Sequence, residues 1–188
     1  MKRHDDFLDE LRAYASADEA EETHRRAMLA LLDNAGEPFS RAHFQPGHFT
    51  ASLYIVDDGG RLLLHHHRRL DRWLQMGGHV EGDEVPAIAA LREGVEESGL
   101  PDLRLAQPQI FDLDIHRIPA GKGEPDHDHF DVRYLARTSR PEDISMDRGE
   151  SNELAWVTLD RARELMPGPE SHRVIRKIDQ LLRERSSS

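Results

Sequence analysis

The chain contains no cysteine among its 188 residues. This absence excludes disulfide bonds, a thiol nucleophile and a thiolate zinc site. No segment is long and apolar enough to form a transmembrane helix, and the first ten residues, MKRHDDFLDE, lack the apolar core of a signal peptide. We therefore expect a cytoplasmic protein with no membrane partner.

Basic residues are also scarce relative to acidic ones. The chain has 25 Lys and Arg against 36 Asp and Glu, which gives a formal net charge of -11. A negative protein repels long nucleic acid, so none is expected as a partner. A small phosphorylated substrate is still compatible with this charge, because a bound metal ion can reverse the field locally.

Apolar periodicity and turn residues outline the secondary structure. Two helices are expected within residues 1–35, the second beginning with a capping box formed by Ser16 and Glu19. Strands and helices that flank one another predict an α/β layer architecture. The expected strands are 49–56, 61–67, a short piece at 73–74, one long or two short strands within 103–118, 129–136 and 154–157, and the later helices are 84–98, 160–166 and 170–185.

One stretch, from Gly78 to Leu100, combines glycine with a cluster of carboxylates. On a helix, Glu93, Glu96 and Glu97 would share one face and repel one another. A hard divalent cation would relieve that repulsion, and oxygen-only sites suit Mg²⁺ or Mn²⁺. The alternative is an acidic helix face that is simply solvated.

The same stretch, GHVEGDEVPAIAALREGVEESGL, resembles the signature of the Nudix hydrolase family. The residues that fall on its fixed positions are Gly78, Glu84, Arg92, Glu93, Glu96, Glu97, Gly99 and Leu100. Two positions depart from the family pattern. Gly94 replaces a bulky apolar residue, at a cost to helix stability of about 1 kcal/mol, and Met76 stands where many members have proline.

The resemblance implies an α/β/α sandwich with a mixed β-sheet over residues 41–188, preceded by an N-terminal helical extension over residues 1–40. It also implies a pyrophosphohydrolase, which would cleave a diphosphate linkage in a nucleoside diphosphate derivative or similar compound by water attack at phosphorus. Mg²⁺ would be the cofactor, with Mn²⁺ as a substitute.

Site residues are carried over from the resemblance by position. The expected metal ligands are the carbonyl of Gly78 and the carboxylates of Glu93, Glu96 and Glu97. Glu93 would also be the general base, Arg92 would orient it, and Glu84 would support the metal shell. Family members often add a Glu from a late loop before a tryptophan, and either Glu150 or Glu153 has that placement. We favour Glu153, with solvated loop charge as the alternative.

Candidate substrate contacts lie outside the signature. Three arginines just before the double glycine could contact phosphate or could form a solvated basic loop: Arg68, Arg69 and Arg72. On the strand that follows a predicted loop, His129, Asp131 and Arg133 are expected to line the substrate cleft. His127 and His129 share a strand face that His116 could approach, so a second metal site is an alternative role for these histidines.

Two other functions share this fold. A prenyl-diphosphate-type isomerase is disfavoured because such enzymes use a catalytic cysteine, and a non-catalytic nucleotide-sensing module is disfavoured because every signature carboxylate is present. The sequence does not identify the substrate. Residues 1–40 carry apolar faces that either cover the domain within one chain or form a homodimer interface.

Overall fold

The computed structural model describes residues 2–121, 123–146, 149 and 151–186. Five α-helices occur there: α1 (Lys2–Ala13), α2 (Glu19–Asn34), α3 (Pro86–Ser98), α4 (Leu159–Leu165) and α5 (Pro169–Ser186). The strands are β1 (Gly47–Asp57), β2 (Leu62–His67), β3 (Arg72–Leu74), β4 (Met76–His79), β5 (Arg104–Leu105), β6 (Asp112–Ile118), β7 (His127–Thr138) and β8 (Ser151–Val157). The expected helices and strands are confirmed, and residues 103–118 contain two strands rather than one.

Among the described residues, the eight strands belong to one sheet with the hydrogen-bonded order β3-β2-β1-β7-β5. In addition, β4 pairs with β1, β6 with β7 and β8 with β2. The pairing of β6 with β7 is antiparallel and places Asp114 opposite Asp131 and His116 opposite His129. This register brings polar side chains of distant segments onto neighbouring strands.

The start of α2 differs from the sequence prediction. Its N-cap is Asp18, whose carboxylate accepts a hydrogen bond from the backbone N–H of Glu21 at 3.1 Å. Ser16 lies two residues earlier and accepts from the N–H of Asp18 at 3.0 Å. The predicted capping box is therefore wrong, because Asp18 stands closer to the first turn and caps it directly.

The chain divides into two compact units, of which the first comprises Met1–Leu53, Gly77–Glu93 and Gln107–Tyr134. Its core includes a cluster of aromatic rings, and α1 contributes Phe7, which lies 5.5 Å from the ring of Phe49 and 5.9 Å from that of Phe39. Leu11, on the same helix, is fully buried. The apolar face of α1 is thus covered within one chain.

The second unit comprises Tyr54–Met76, Gly94–Ala106 and Leu135–Ser188. In it β2 pairs with both β3 and β8, and α4 contacts both β2 and α5. The chain leaves α3 at Gly99, where φ is +71° and a side chain would be strained. The N–H of Ser145 donates to the carbonyl of Ser98 at 2.7 Å, which ties the loop before β8 to the end of α3.

No helix in the part of the chain that the structure describes combines the length and apolar character that a membrane crossing requires.

Candidate active site

Gly78 on β4 lies directly against the carboxylate of Glu93. A Cβ atom at position 78 would be 2.2 Å from Oε1 of Glu93 and 2.4 Å from its Cδ, so any side chain there would overlap the carboxylate. A side chain at position 78 would therefore displace the carboxylate of Glu93 from its place against β4. The sequence pattern placed both residues in one site, and the structure brings them together.

Arg92 holds Glu93 in place through a hydrogen bond from Nη1 to Oε1 at 2.9 Å. The same guanidinium donates from Nη2 to the carbonyl of His79 at 2.9 Å. It therefore links α3 to the end of β4 as well as to Glu93. A planar guanidinium with several fixed donors suits this task better than a single ammonium group would.

Glu84, in the loop before α3, completes the arrangement from the other side of Arg92. Its two oxygens accept from Nε at 3.0 Å and Nη2 at 3.1 Å of the guanidinium. The hydrogen bond from Arg92 lowers the pKa of Glu84, and the hydrogen bond to Glu84 raises the pKa of Arg92. Both groups are consequently charged at neutral pH, and Glu84 positions the arginine that positions Glu93.

The remaining carboxylates of α3 differ in exposure. Glu97 is only 4% exposed, whereas Glu96 is exposed, and both follow Glu93 at helical spacing on one continuous helix. Gly94, which departs from the family pattern, is buried and does not interrupt α3. Its carbonyl accepts a hydrogen bond from the Ser98 hydroxyl, which adds a contact in the last turn.

A cavity of about 530 Å³ adjoins this region in the first unit. Among the residues that line it are three acids, Asp6, Glu10 and Glu84, and its described lining contains no Lys or Arg. Tyr134 also lines it, and the buried Tyr134 hydroxyl makes no hydrogen bond within the described part of the chain. An anionic group entering this acidic space would require a cation beside it.

The three arginines assigned to phosphate lie around the turn between β2 and β3. Arg68, Arg69 and Arg72 are all exposed. The imidazole Nδ1 of His67 accepts from the N–H groups of Arg69 at 3.1 Å and Leu70 at 3.2 Å, which orders the turn. The placement is compatible with either alternative, so phosphate contact stays a prediction.

Asp131 and Arg133, assigned to the substrate cleft, lie in a buried ion network. Arg133 is 4% exposed and donates to Asp131 at 2.9 Å, Asp114 at 2.9 Å and Asp112 at 3.3 Å. Asp131 also accepts hydrogen bonds from the Ser52 hydroxyl at 2.9 Å. These contacts give both side chains a structural partner within the protein, and their contact with substrate stays a prediction.

The structure describes only one of the two glutamates that could add a further metal ligand. Glu153 is exposed on β8, where its Cα pairs with that of His66, and Glu150 lies outside the described residues. The choice between them as an additional metal ligand therefore stays a prediction.

Sequence reasoning missed the polar side chains of β1. His48, Thr50 and Ser52 alternate with Phe49 and Ala51 and are all buried. Since side chains alternate across a strand, this spacing places the three polar groups on one face. The alternation itself was the signal that could have revealed them.

His129, which was predicted to line the substrate cleft, lies close to His48 and to His79 of β4, with ring centroids 5.0 and 5.5 Å away.

Comparison with known proteins identifies the family. The sequence profile of the NUDIX domain matches residues 46–177. No curated protein sequence matches the chain. Among solved structures, a binary complex of C. elegans Ap4A hydrolase is similar over 72% of this chain and 98% of its own, with 22% identity and a TM-score of 0.60.

Two further solved structures are similar. A NUDIX family hydrolase from Clostridium perfringens shares 29% identity over 71% of this chain and 97% of its own, with a TM-score of 0.52. The E. coli dihydroneopterin triphosphate pyrophosphohydrolase shares 19% identity over 72% of this chain and 95% of its own, with a TM-score of 0.53. These matches confirm the predicted α/β/α sandwich with a mixed sheet. The chain belongs to the Nudix family.

Proposed function

We propose that this enzyme hydrolyses a diphosphate linkage in a nucleoside diphosphate derivative or a similar small phosphorylated compound and depends on Mg²⁺, with Mn²⁺ as a substitute. The observation that carries the proposal is the contact of the Glu93 carboxylate with Gly78, held by Arg92. It places a carboxylate and backbone of β4 side by side, and both types of oxygen are ligands for hard divalent cations.

The donor set fits such a cation. Glu93 is largely buried, with 15% of its side chain exposed, and Glu97 is 4% exposed. Two poorly hydrated carboxylates at helical spacing repel one another, which a divalent cation would relieve. Glu93, Glu96, Glu97 and the Gly78 carbonyl would hold the ion, with Glu153 as an additional ligand. When bound, the ion neutralises phosphate charge and lowers the pKa of an attacking water.

The protein's own residues would orient the reaction. Arg92 fixes one oxygen of Glu93 by its hydrogen bond, and Glu84 fixes Arg92 in turn. Glu93 would accept the proton of the attacking water while the oxygen of that water bonds to phosphorus and the bridging P–O bond breaks. The exposed arginines Arg68, Arg69 and Arg72 would contact the phosphates of the substrate.

The substrate class draws support from the names of two similar structures. One is called an Ap4A hydrolase and the other a dihydroneopterin triphosphate pyrophosphohydrolase, and both names denote compounds with a chain of phosphates on a heterocyclic group. Their identities to this chain support the fold alone, so the substrate has to be found by assay. Nucleoside diphosphate sugars, dinucleoside polyphosphates, capped RNA ends and (d)NTPs form a suitable panel.

The test is Mg²⁺-dependent hydrolysis of that panel by the full chain and by Glu93→Gln. We expect release of phosphorylated products only with Mg²⁺ or Mn²⁺, and a loss of about 100-fold or more in turnover for the variant, because it lacks both a general base and an anionic ligand. Glu142→Gln, at an acid of the short 3-10 helix Pro141–Asp143, serves as the control and should leave turnover unchanged.

Four outcomes would overturn the proposal. Hydrolysis in excess chelator would remove the metal dependence, and full activity of Glu93→Gln with Mg²⁺ present would remove the assigned base. Binding of substrate without any turnover would instead support a sensing module, and isomerised product would support an isomerase.

A further inference from the structure

Five histidine rings form one connected cluster on four strands of the first unit, and each ring contacts at least one other ring of the cluster. They are His48 of β1, His79 of β4, His116 of β6, and His127 and His129 of β7. The ring of His48 lies 5.2 Å from that of His79 and 5.0 Å from those of His127 and His129. Such a concentration of imidazoles is the donor chemistry of a transition-metal site.

Three of these residues have their donor atoms close enough to share an ion. One ring nitrogen from each of His48, His79 and His129 lies within 4.8 Å of the other two. In a tetrahedral zinc site with Zn–N distances of about 2.0–2.1 Å, the nitrogens are about 3.3 Å apart. Small side-chain rotations would therefore be sufficient to close the three imidazoles around one ion.

His48 supplies an independent observation. It is fully buried, its Nδ1 lies 3.2 Å from the carbonyl of His43, and its Nε2 makes no hydrogen bond within the described part of the chain. A carbonyl can only accept, so Nδ1 carries the proton and Nε2 presents its lone pair. Metal-binding histidines almost always donate their other N–H to a carbonyl or carboxylate in this way. A buried lone pair without a partner is costly, and a metal ion would satisfy it.

The protonation states also suit metal binding. Burial lowers the pKa of His79 to about 4 and that of His129 to about 2, and it lowers the pKa of His48. The charges of neighbouring imidazoles act in the same direction for each of the three, as does Arg41 for His48 and His79, whereas Glu124 opposes the shift in those two. The lowered pKa values of His48 and His129 favour the neutral imidazole, which is the form that binds a metal.

We propose that His48, His79 and His129 bind one divalent transition-metal ion of the zinc class, separate from the carboxylate site. Imidazole donors suit Zn²⁺, Ni²⁺ or Cu²⁺, whereas Mg²⁺ requires oxygen ligands. The two sites lie on opposite faces of β4, because side chains alternate along a strand and the missing Cβ of Gly78 faces Glu93. The ion would cross-link β1, β4 and β7 one residue away from Gly78.

The proposal is tested by titrating the full chain with Zn²⁺ in excess Mg²⁺, which occupies carboxylate sites, and following the heat of binding. Co²⁺ as the probe adds a visible absorption spectrum that distinguishes tetrahedral nitrogen coordination from octahedral oxygen coordination. We expect one equivalent of Zn²⁺ to bind and to raise the Tm, because the ion binds the folded state.

Variants locate the site. His79→Phe and His129→Phe keep an aromatic ring but remove the donor, and each should weaken Zn²⁺ binding by at least about 100-fold. His66→Phe is the matched control, because its ring contacts Trp73 and not the cluster. Glu93→Gln should keep Zn²⁺ binding and lose hydrolysis, so failure of this proposal is distinguishable from failure of the proposed function.

The overturning results are equally specific. Absence of Zn²⁺ binding by the wild-type chain in excess Mg²⁺, or equal affinity in His79→Phe, His129→Phe and wild type, would sink the proposal. Should a variant fail to fold, the wild-type titration still decides, because a wild-type chain that does not bind Zn²⁺ or Co²⁺ in excess Mg²⁺ contradicts the three-imidazole site.

Discussion

Two arginines of the first unit pair with carboxylates, and the difference between them separates the proposed active site from a buried ion network. Arg92 is 23% exposed at the side chain, donates to Glu84 and Glu93, and lies where a glycine opens space beside a carboxylate. Arg133 is 5% exposed at the side chain and is enclosed by three aspartates. Ion pairs between arginine and carboxylates thus have two different roles here. Those of Arg92 position a partly exposed carboxylate, whereas those of Arg133 hold strands together.

The largest expected effect comes from Arg133→Met. Its removal would leave Asp112, Asp114 and Asp131 buried without their shared cation, and loss of one partner of a buried ion pair costs about 3–5 kcal/mol. Urea denaturation would measure the free energy of unfolding. Arg137→Met is the control, because Arg137 pairs with an Asp58 side chain that is 71% exposed and should change stability by no more than about 1 kcal/mol. Equal losses in both variants would contradict the structural role of Arg133.

The next effect concerns acid stability through Asp114. Burial alone would raise its pKa, but the hydrogen bond from His116 and the charges of Arg133, His116 and His24 lower it to about 2, from 3.8. The acidic neighbours of Asp114 are Asp131, which lies opposite it on β7, and Asp112, which pairs with the same arginine, Arg133.

The sign follows from the lowered pKa. The unfolded chain binds the proton more readily, so this group stabilises the fold by about 2 kcal/mol above pH 3.8, and the contribution disappears as pH falls through about 2. Comparing the unfolding free energy of wild type and Asp114→Asn between pH 5 and pH 2 measures it. An unchanged pH slope in the variant would be inconsistent with this assignment, and exposed Asp58→Asn provides the control.

A smaller effect is expected for Arg92→Lys. A lysine ammonium cannot donate to Glu84, Glu93 and the His79 carbonyl with the geometry of a guanidinium, so we expect turnover to fall about 10-fold with little change in Tm. The Mg²⁺ dependence of turnover would show whether the loss lies in metal affinity or in kcat. Arg117→Lys, in an exposed pair with Asp128, should have no effect, and retained turnover in Arg92→Lys would remove its positioning role.

The smallest effect is expected for Ser52→Ala. The variant removes the hydroxyl that donates to Asp131, which should cost about 1 kcal/mol of unfolding free energy. Thr23→Ala removes a comparable hydroxyl from an exposed position on α2 and should cost less. A larger loss for Thr23→Ala would mean that burial does not decide the value of these hydrogen bonds.

The sequence predicted the elements of the fold well because periodicity is a local property. The strand at 129–136 alternates polar and apolar residues, and β7 buries Phe130 and Tyr134 between its polar residues. The start of α2 was less accessible. Ser16 and Asp18 are both good N-cap residues, and only the backbone conformation selects between them.

The candidate sites were predictable to different extents. The residues around Glu93 lie in one continuous motif, so the resemblance of that motif to the Nudix signature brought Gly78, Glu84 and Arg92 into the same hypothesis. The histidine cluster depends on pairing between strands far apart in sequence, and only His127 and His129 could be related by strand alternation. His48 and His79 join them through the sheet, which no local pattern specifies.

Gly99 has a consequence for engineering. A Cβ atom at that position would lie 2.6 Å from Cβ of Ser145, so the end of α3 and the loop before β8 fit together only while residue 99 has no side chain. Positions 99 and 145 therefore constrain each other, and a bulkier residue at either would displace the loop. For loop grafting, Ser145 is the natural fixed end, since segments inserted after it would leave this packed pair intact.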